Sequence, residues 1–147
     1  MKIEIFFLKK SDWLSDLIKR ITHTPHSHCG MLLGGFTVFD TDFTRDLTLR
    51  QLPWKDSDID VITLDLSDIQ YEETIKWIRK NNLKKYDNVE NLRFIRGYKK
   101  SNGDAKLNCV EATLSYLCDI GILNPIYKED NLSPGELYDI LNRRVNS

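Results

Sequence analysis

The chain has 147 residues, 41% of them apolar and 29% charged, with 21 Lys and Arg against 22 Asp and Glu for a formal charge of −1. That length can bury a core without staples, and the near-neutral balance excludes recognition of a polyelectrolyte by the charge of the whole molecule. Three cysteines cannot pair completely and make no disulfide framework. We expect one domain over residues 1–147.

Ile3, Ile5 and Phe7 alternate with Lys2, Glu4 and Phe6, which predicts an N-terminal strand with one well-buried face. This apolar run, interrupted by Glu4, is too short for a signal sequence or a membrane span. With the free cysteines it places the protein in a reducing cytoplasm, without stable membrane insertion. Ser11 is the predicted cap of a helix whose stripe is Trp13, Leu14, Leu17, Ile18 and Ile21, ended by Pro25. His28 to Leu33 predicts a second strand, joined through Gly34-Gly35 to a third at Phe36–Phe39. Paired glycines between apolar runs are a hairpin signal because both accept positive φ.

Residues 43–51 predict a short strand, with Pro53 blocking its continuation. Asp60 to Leu66 alternates as a strand, and Tyr71, Ile75 and Ile78 form the stripe of a helix ending near Asn81-Asn82. A short helix is expected around Val89 to Phe94, followed by a polar loop from Gly97 to Lys106. Asn108 is a good N-cap, Glu111 follows at capping-box spacing, and Gly121 supplies the αL stop, so Cys109 falls in the first turn of a helix. Ser133-Pro134-Gly135-Glu136 opens a last helix running through Leu141.

Cys109 carries the chemical interest. A thiol at the positive end of a helix is biased toward thiolate, the nucleophilic form. Such a nucleophile needs a base within reach and a polar group to orient it. His23 and His26 lie in a turn, whereas His28 opens a strand, a rigid position against which a helix N-terminus can pack. Asp40 lies at the far end of the same hairpin. A two-residue turn would pair His28 with Thr41 and put Asp40 on the opposite face. A three-residue loop or a bulge would shift the pairing and put Asp40 across from His28.

Other readings exist for the same residues. Cys109 could be a small buried residue at a helix start, as we read Cys29 and Cys118. Asp40 could belong to a turn. His23, His26, His28 and Cys29 offer zinc-ligand chemistry but in no standard spacing, and we expect no metal or cofactor. Asp56 to Glu73 is acidic without a Lys or Arg, while Lys76 to Lys106 is basic and interleaved with aromatics. Stacking on nucleic acid could use that pattern, but solvated faces and core aromatics account for it more simply.

Taken in order, a helix, Ser27-His28-Cys29-Gly30, a Gly-Gly hairpin, a polar residue twelve positions after the histidine, Tyr86-Asp87, Asn108-Cys109-Val110-Glu111 and Ser133-Pro134-Gly135-Glu136-Leu137 resemble the circularly permuted branch of the NlpC-type papain-like cysteine hydrolases. That branch includes lecithin retinol acyltransferase and bacterial and viral relatives. The resemblance implies an α+β, papain-like fold, with an antiparallel sheet packed against the cysteine helix and the histidine strand first. It implies Cys109 as nucleophile, His28 as general base and Asp40 as orienting group, with Ser27, Asn108, Tyr86 and Lys106 on the substrate side. The expected activity is hydrolysis of an amide (peptide, isopeptide or cell-wall type) through a thioester. The alternatives are a lipid or thioester acyl hydrolase or acyltransferase of the same fold, and a catalytically silent module binding a protein partner.

Overall fold

β-Branched and aromatic residues at alternate positions give the chain its first strand, β1 (Lys2–Leu8), and this strand becomes the second from one edge of a five-stranded antiparallel sheet. The computed structural model describes residues 1–10, 12–34, 36–42, 45–83, 85–86 and 106–147, with the backbone alone at residues 13, 14, 85, 86, 106 and 107. The elements that follow β1 are α1 (Trp13–Thr22), β2 (His28–Leu33), β3 (Thr37–Asp42), β4 (Arg45–Gln51) and β5 (Ile59–Asp65). After them come α2 (Asp68–Asn81), the short parallel pair β6 (Lys85–Tyr86) and β7 (Lys106–Leu107), α3 (Cys109–Asp119) and α4 (Pro134–Val145). The large sheet has the order β4-β3-β2-β1-β5. The fold is α+β; among the described residues it has four helices, none of them long and apolar enough to cross a membrane.

Strand alternation sorts the sheet into two unlike faces. Ile3, Ile5, Phe7, Cys29, Met31, Phe39, Leu47, Ile62 and Leu64 point to the inner face and share one core with α2, α3 and α4. Phe6, Leu8, Leu32, Val38 and Ile59 make a smaller cluster on the outer face, capped by Leu52 and Trp54. The expectation that β1 has a single buried face therefore fails in its second half. After Gln51 the chain folds back over the sheet and buries Phe6 completely.

Local chemistry explains the helix limits. Asp12, not Ser11, caps α1, its carboxylate accepting from the Ser15 amide at 2.8 Å; Ser11 lies outside the described residues. The helix stops at Thr22 with His23 in the left-handed region (φ 54°), before Pro25 is reached. Capping boxes open α2 at Ser67, α3 at Asn108 and α4 at Ser133. Gly121 takes φ 75° just beyond α3, a conformation that favours glycine. Two aromatic contacts tie α2 to α3: the Tyr116 hydroxyl meets Thr74 Oγ1 at 2.9 Å, and the Trp77 indole donates to Asp119. The helix expected at Val89–Phe94 and the loop at Gly97–Lys106 lie outside the described residues, apart from the backbone of Lys106.

Candidate active site

The site is built from the outer face of three neighbouring strands and the first turn of one helix. Leu33 pairs with Thr37, which leaves three residues, 34–36, between β2 and β3. Met31 then faces Phe39, and the same register sets Gly30 beside Asp40. Asp40 thus shares the face of His28 but lies diagonally, two residues along, where direct opposition was one of the two expected arrangements. The diagonal works because Gly30 has no side chain. A Cβ there would stand 2.7 Å from Asp40 Cβ and 2.8 Å from the Phe6 ring. Asp40 leans through that gap and meets His28 Nε2 at 2.8 Å through Oδ2.

Arg50 continues the row on β4. Its pairing partner is Val38, two residues from Asp40 on the same face, so this too is a diagonal neighbour. Arg50 Nε donates to Asp40 Oδ1 at 2.8 Å and Nη2 donates to Oδ2 at 2.6 Å, a bidentate fork. The guanidinium carbon lies 4.9 Å from the Trp54 ring centroid, and Trp54 stands edge-on to His28 at 5.6 Å with Phe6 beside both. The pairing of β3 with β4 slips by one residue between Asp40 and Asp42, a bulge directly beside the fork.

From the inner face comes α3. The Asn108 side chain accepts from the Glu111 amide at 2.8 Å, and Glu111 Oε2 accepts from the Asn108 amide at 3.2 Å. This box fixes Cys109 as the first helical residue, where the backbone amides carry partial positive charge. Cys109 is half-buried and packs against the first two residues of β2. Cys29 Sγ lies 3.6 Å from the Cys109 carbonyl oxygen and 3.7 Å from Thr113 Oγ1, and Thr113 Oγ1 donates to that carbonyl at 2.9 Å.

The electrostatics follow from these contacts. The Cys29 thiol donates toward Cys109 and favours its thiolate; burial opposes this, but the charge and hydrogen bond of His28 and the Cys29 amide hold Cys109 well below the ordinary thiol range. Burial disfavours a charged His28, yet Cys109 and Asp40 together outweigh it and push His28 up to about 10. Asp40, its side chain 1% exposed, is likewise penalised by burial, and the hydrogen bonds from His28 and Arg50 hold it far below the usual carboxylate range. Cys29 goes the other way: burial and the neighbouring Cys109 keep it a thiol. With Nε2 on Asp40, Nδ1 is the nitrogen of His28 left to exchange a proton with Cys109.

Cys109, His28 and Asp40 thus come together. Ser27 and Asn108, expected on the substrate side, are both buried and engaged in the fold: the Ser27 amide and hydroxyl point to the Leu8 carbonyl, and Asn108 is taken up by its cap. The side chains of Tyr86 and Lys106 lie outside the described residues. His23, His26, His28 and Cys29 do not converge: His23 is exposed at the end of α1, His26 turns to Asp60, and His28 and Cys29 lie on opposite faces. Arg50, Trp54 and the role of Cys29 were missed. Strand parity counted from Asp40 would have found Arg50, had the limits of β4 been fixed.

No protein-family model and no curated protein matches this chain. Among solved structures it is similar to the metalloprotein yiiX from Escherichia coli O157:H7, DUF1105, with a TM-score of 0.60 and 17% identity over 95% of this chain and 79% of that one. At that identity the likeness shows the fold alone.

Proposed function

We propose that the protein is a cysteine hydrolase of the permuted papain-like type, cleaving an amide bond through a thioester on Cys109. The observation that carries this reading is the chain of contacts from Cys109 to His28 and from His28 Nε2 to Asp40 at 2.8 Å. The order of elements supports it as well, since the histidine strand β2 precedes the cysteine helix α3.

On this reading Cys109 Sγ attacks the carbonyl carbon and the carbonyl becomes an oxyanion. The Cys109 amide, one of the donors left unpaired at a helix start, stabilises that charge. As the C–N bond breaks, the His28 imidazolium gives its proton to the leaving nitrogen. A water then attacks the thioester, with His28 taking its proton, and the acid is released with Cys109 returned to thiolate. Asp40 keeps Nε2 protonated and the ring turned toward Cys109 throughout.

The fold neighbour is described as a metalloprotein, which raises a metal route for this chain too. Its donor set does not fit one. Among the described residues no three side chains of His, Cys, Asp and Glu are placed to hold one metal ion together, and both oxygens of Asp40 are held by the Arg50 guanidinium. No step is routed through a metal.

The test is labelling with an electrophilic thiol probe at neutral pH, together with hydrolysis of amide and ester substrates. Rapid modification of Cys109, lost in His28→Ala, and turnover abolished in Cys109→Ala are expected. Labelling at the rate of an ordinary thiol, or unchanged without His28, would sink the proposal. Turnover of esters or thioesters alone would move it to acyl hydrolysis.

A further inference from the structure

In the reactive state of the proposed site, charge alternates along a single line of contacts. Cys109 is a thiolate, His28 an imidazolium, Asp40 a carboxylate and Arg50 a guanidinium. The four sum to zero. Three of them alone would leave one net negative charge among side chains that are 11% (His28) and 1% (Asp40) exposed, with Arg50 itself only 13% exposed. A buried cluster with an unmatched charge is strongly disfavoured, and the cheapest relief is uptake of a proton. Cys109, the weakest acid of the anionic pair, is where that proton would go.

We propose that Arg50 is a positioning residue of the site, closing the charge of the Cys109–His28–Asp40 line so that the thiolate–imidazolium pair can persist in a buried setting. The geometry is specific for it. The fork reaches both Asp40 oxygens, which fixes the carboxylate plane and directs Oδ2 to His28 Nε2. Trp54 lies against the guanidinium and stands edge-on to the His28 ring, so the cation and the base share one indole neighbour. Among the described residues no other charge takes over this role. Asp42 Oδ2 is 4.0 Å from Arg50 Nη2 but is paired with Arg45, and on the helix side the groups that face Cys109 among the described residues are His28 and the un-ionised Cys29. Arg50 touches no reacting atom and acts by holding Asp40 and by the charge it adds to the line.

This inference rests on the Cys109–His28 reading, and the experiment separates the two. The ultraviolet thiolate absorbance of Cys109 is titrated against pH, using Cys109→Ser as blank, in wild type, Arg50→Gln, Arg50→Lys, Asp40→Asn and the Asp40→Asn/Arg50→Gln double variant. Wild type should show a thiolate limb well below that of an ordinary cysteine. Arg50→Gln should move the limb upward by about one pH unit, which is roughly tenfold in thiolate population and in labelling rate at pH values below the limb. Arg50→Lys, which keeps the charge but not the fork, should restore the limb. The double variant, which removes both buried charges together, should stay folded and titrate above Asp40→Asn alone, because it lacks the cation that Asp40→Asn leaves unmatched. A limb that is low in wild type and unmoved in Arg50→Gln overturns the role of Arg50 while leaving the hydrolase reading intact. If Arg50→Gln does not fold, a double variant that titrates level with Asp40→Asn overturns it equally. A wild-type limb at the ordinary thiol value removes the hydrolase reading, and the role of Arg50 goes with it.

Discussion

Two histidines only two residues apart are built into nearly the same arrangement and, on the proposed function, do different work. His28 Nε2 meets Asp40 at 2.8 Å and Asp40 is held by Arg50; His26 Nε2 meets Asp60 at 2.8 Å and Asp60 is held by Lys9 at 2.6 Å. Both rings sit among aromatics, His28 with Phe6 and Trp54 on the outer face, His26 with Phe7 and Tyr138 on the inner side. The difference lies at the other nitrogen. His28 turns it to a thiol at a helix start, whereas His26 Nδ1 is buried with no hydrogen-bond partner among the described residues. On the proposed function, a histidine, a carboxylate and a cation in line therefore serve equally as a tie between elements and as the supporting arm of a nucleophile. What stands at the free nitrogen decides which.

The largest expected effect follows directly. His28→Ala should slow modification of Cys109 by about 10²–10⁴-fold, the range of a lost general base. His26→Ala, in protein shown to be folded, should leave the rate unchanged. Equal losses in both variants would mean that the two pairs differ in position and not in role.

How far the sequence reveals this contrast depends on the range of the interaction. The Cys109 helix start is legible because capping is local: Asn108 and Glu111 are three residues apart and settle the matter between themselves. The His28 hairpin is legible because alternation and a glycine turn mark it. Asp40 is only half legible, since its facing depends on a single residue of loop length, and Arg50 is not legible because its own strand has a weak pattern and its partner lies diagonally on the neighbouring strand. The same holds for Phe6, which reads as an exposed alternate until Leu52 and Trp54 fold over it. Contacts made by chain returning from far away have no local signal.

The carboxylates should separate next. Asp40→Asn leaves Arg50 and His28 without their buried counter-charge and should cost roughly 3 kcal/mol, as for one partner removed from a buried pair. Asp60 has a side chain 33% exposed and its partner Lys9 is 39% exposed, so Asp60→Asn should cost about 0–1 kcal/mol. The pH dependence carries the same contrast. A carboxyl held low in the fold stabilises above its unfolded pKa of about 3.9, and that contribution disappears as pH falls through the folded value. Asp40→Asn should therefore flatten acid denaturation measured by chemical unfolding. His28 has the opposite sign: raised from 6.5 to about 10, it contributes fully below 6.5 and loses that contribution as pH rises through about 10. Wild type should weaken on the alkaline side where His28→Ala does not, and parallel alkaline curves would break the assignment.

Gly30→Ala comes third. The added Cβ would meet Asp40 and Phe6 at under 3 Å, and both are packed, so overpacking should cost about 1–3 kcal/mol. The more telling readout is reactivity. Asp40 can yield only by moving off His28, and labelling of Cys109 should fall further than stability does. A variant that loses stability without losing labelling would show that the diagonal contact of Asp40 is not what orients His28.

The smallest effect is the most selective, because the molecule contains its own control. Asn108 and Ser133 cap α3 and α4 in the same way, each accepting from the amide three residues on and each answered by a glutamate, at Glu111 and Glu136. Asn108→Ala and Ser133→Ala should each cost about 1 kcal/mol of stability. Yet only α3 begins with a cysteine. Fraying its first turn lets the amides around Cys109 lose their alignment, and with it the partial positive charge that favours thiolate. The Cys109 thiolate limb should thus move upward in Asn108→Ala and stay in place in Ser133→Ala, although the two proteins melt together. If both limbs stay in place, His28 and Cys29 alone hold the thiolate, and the helix start only positions it.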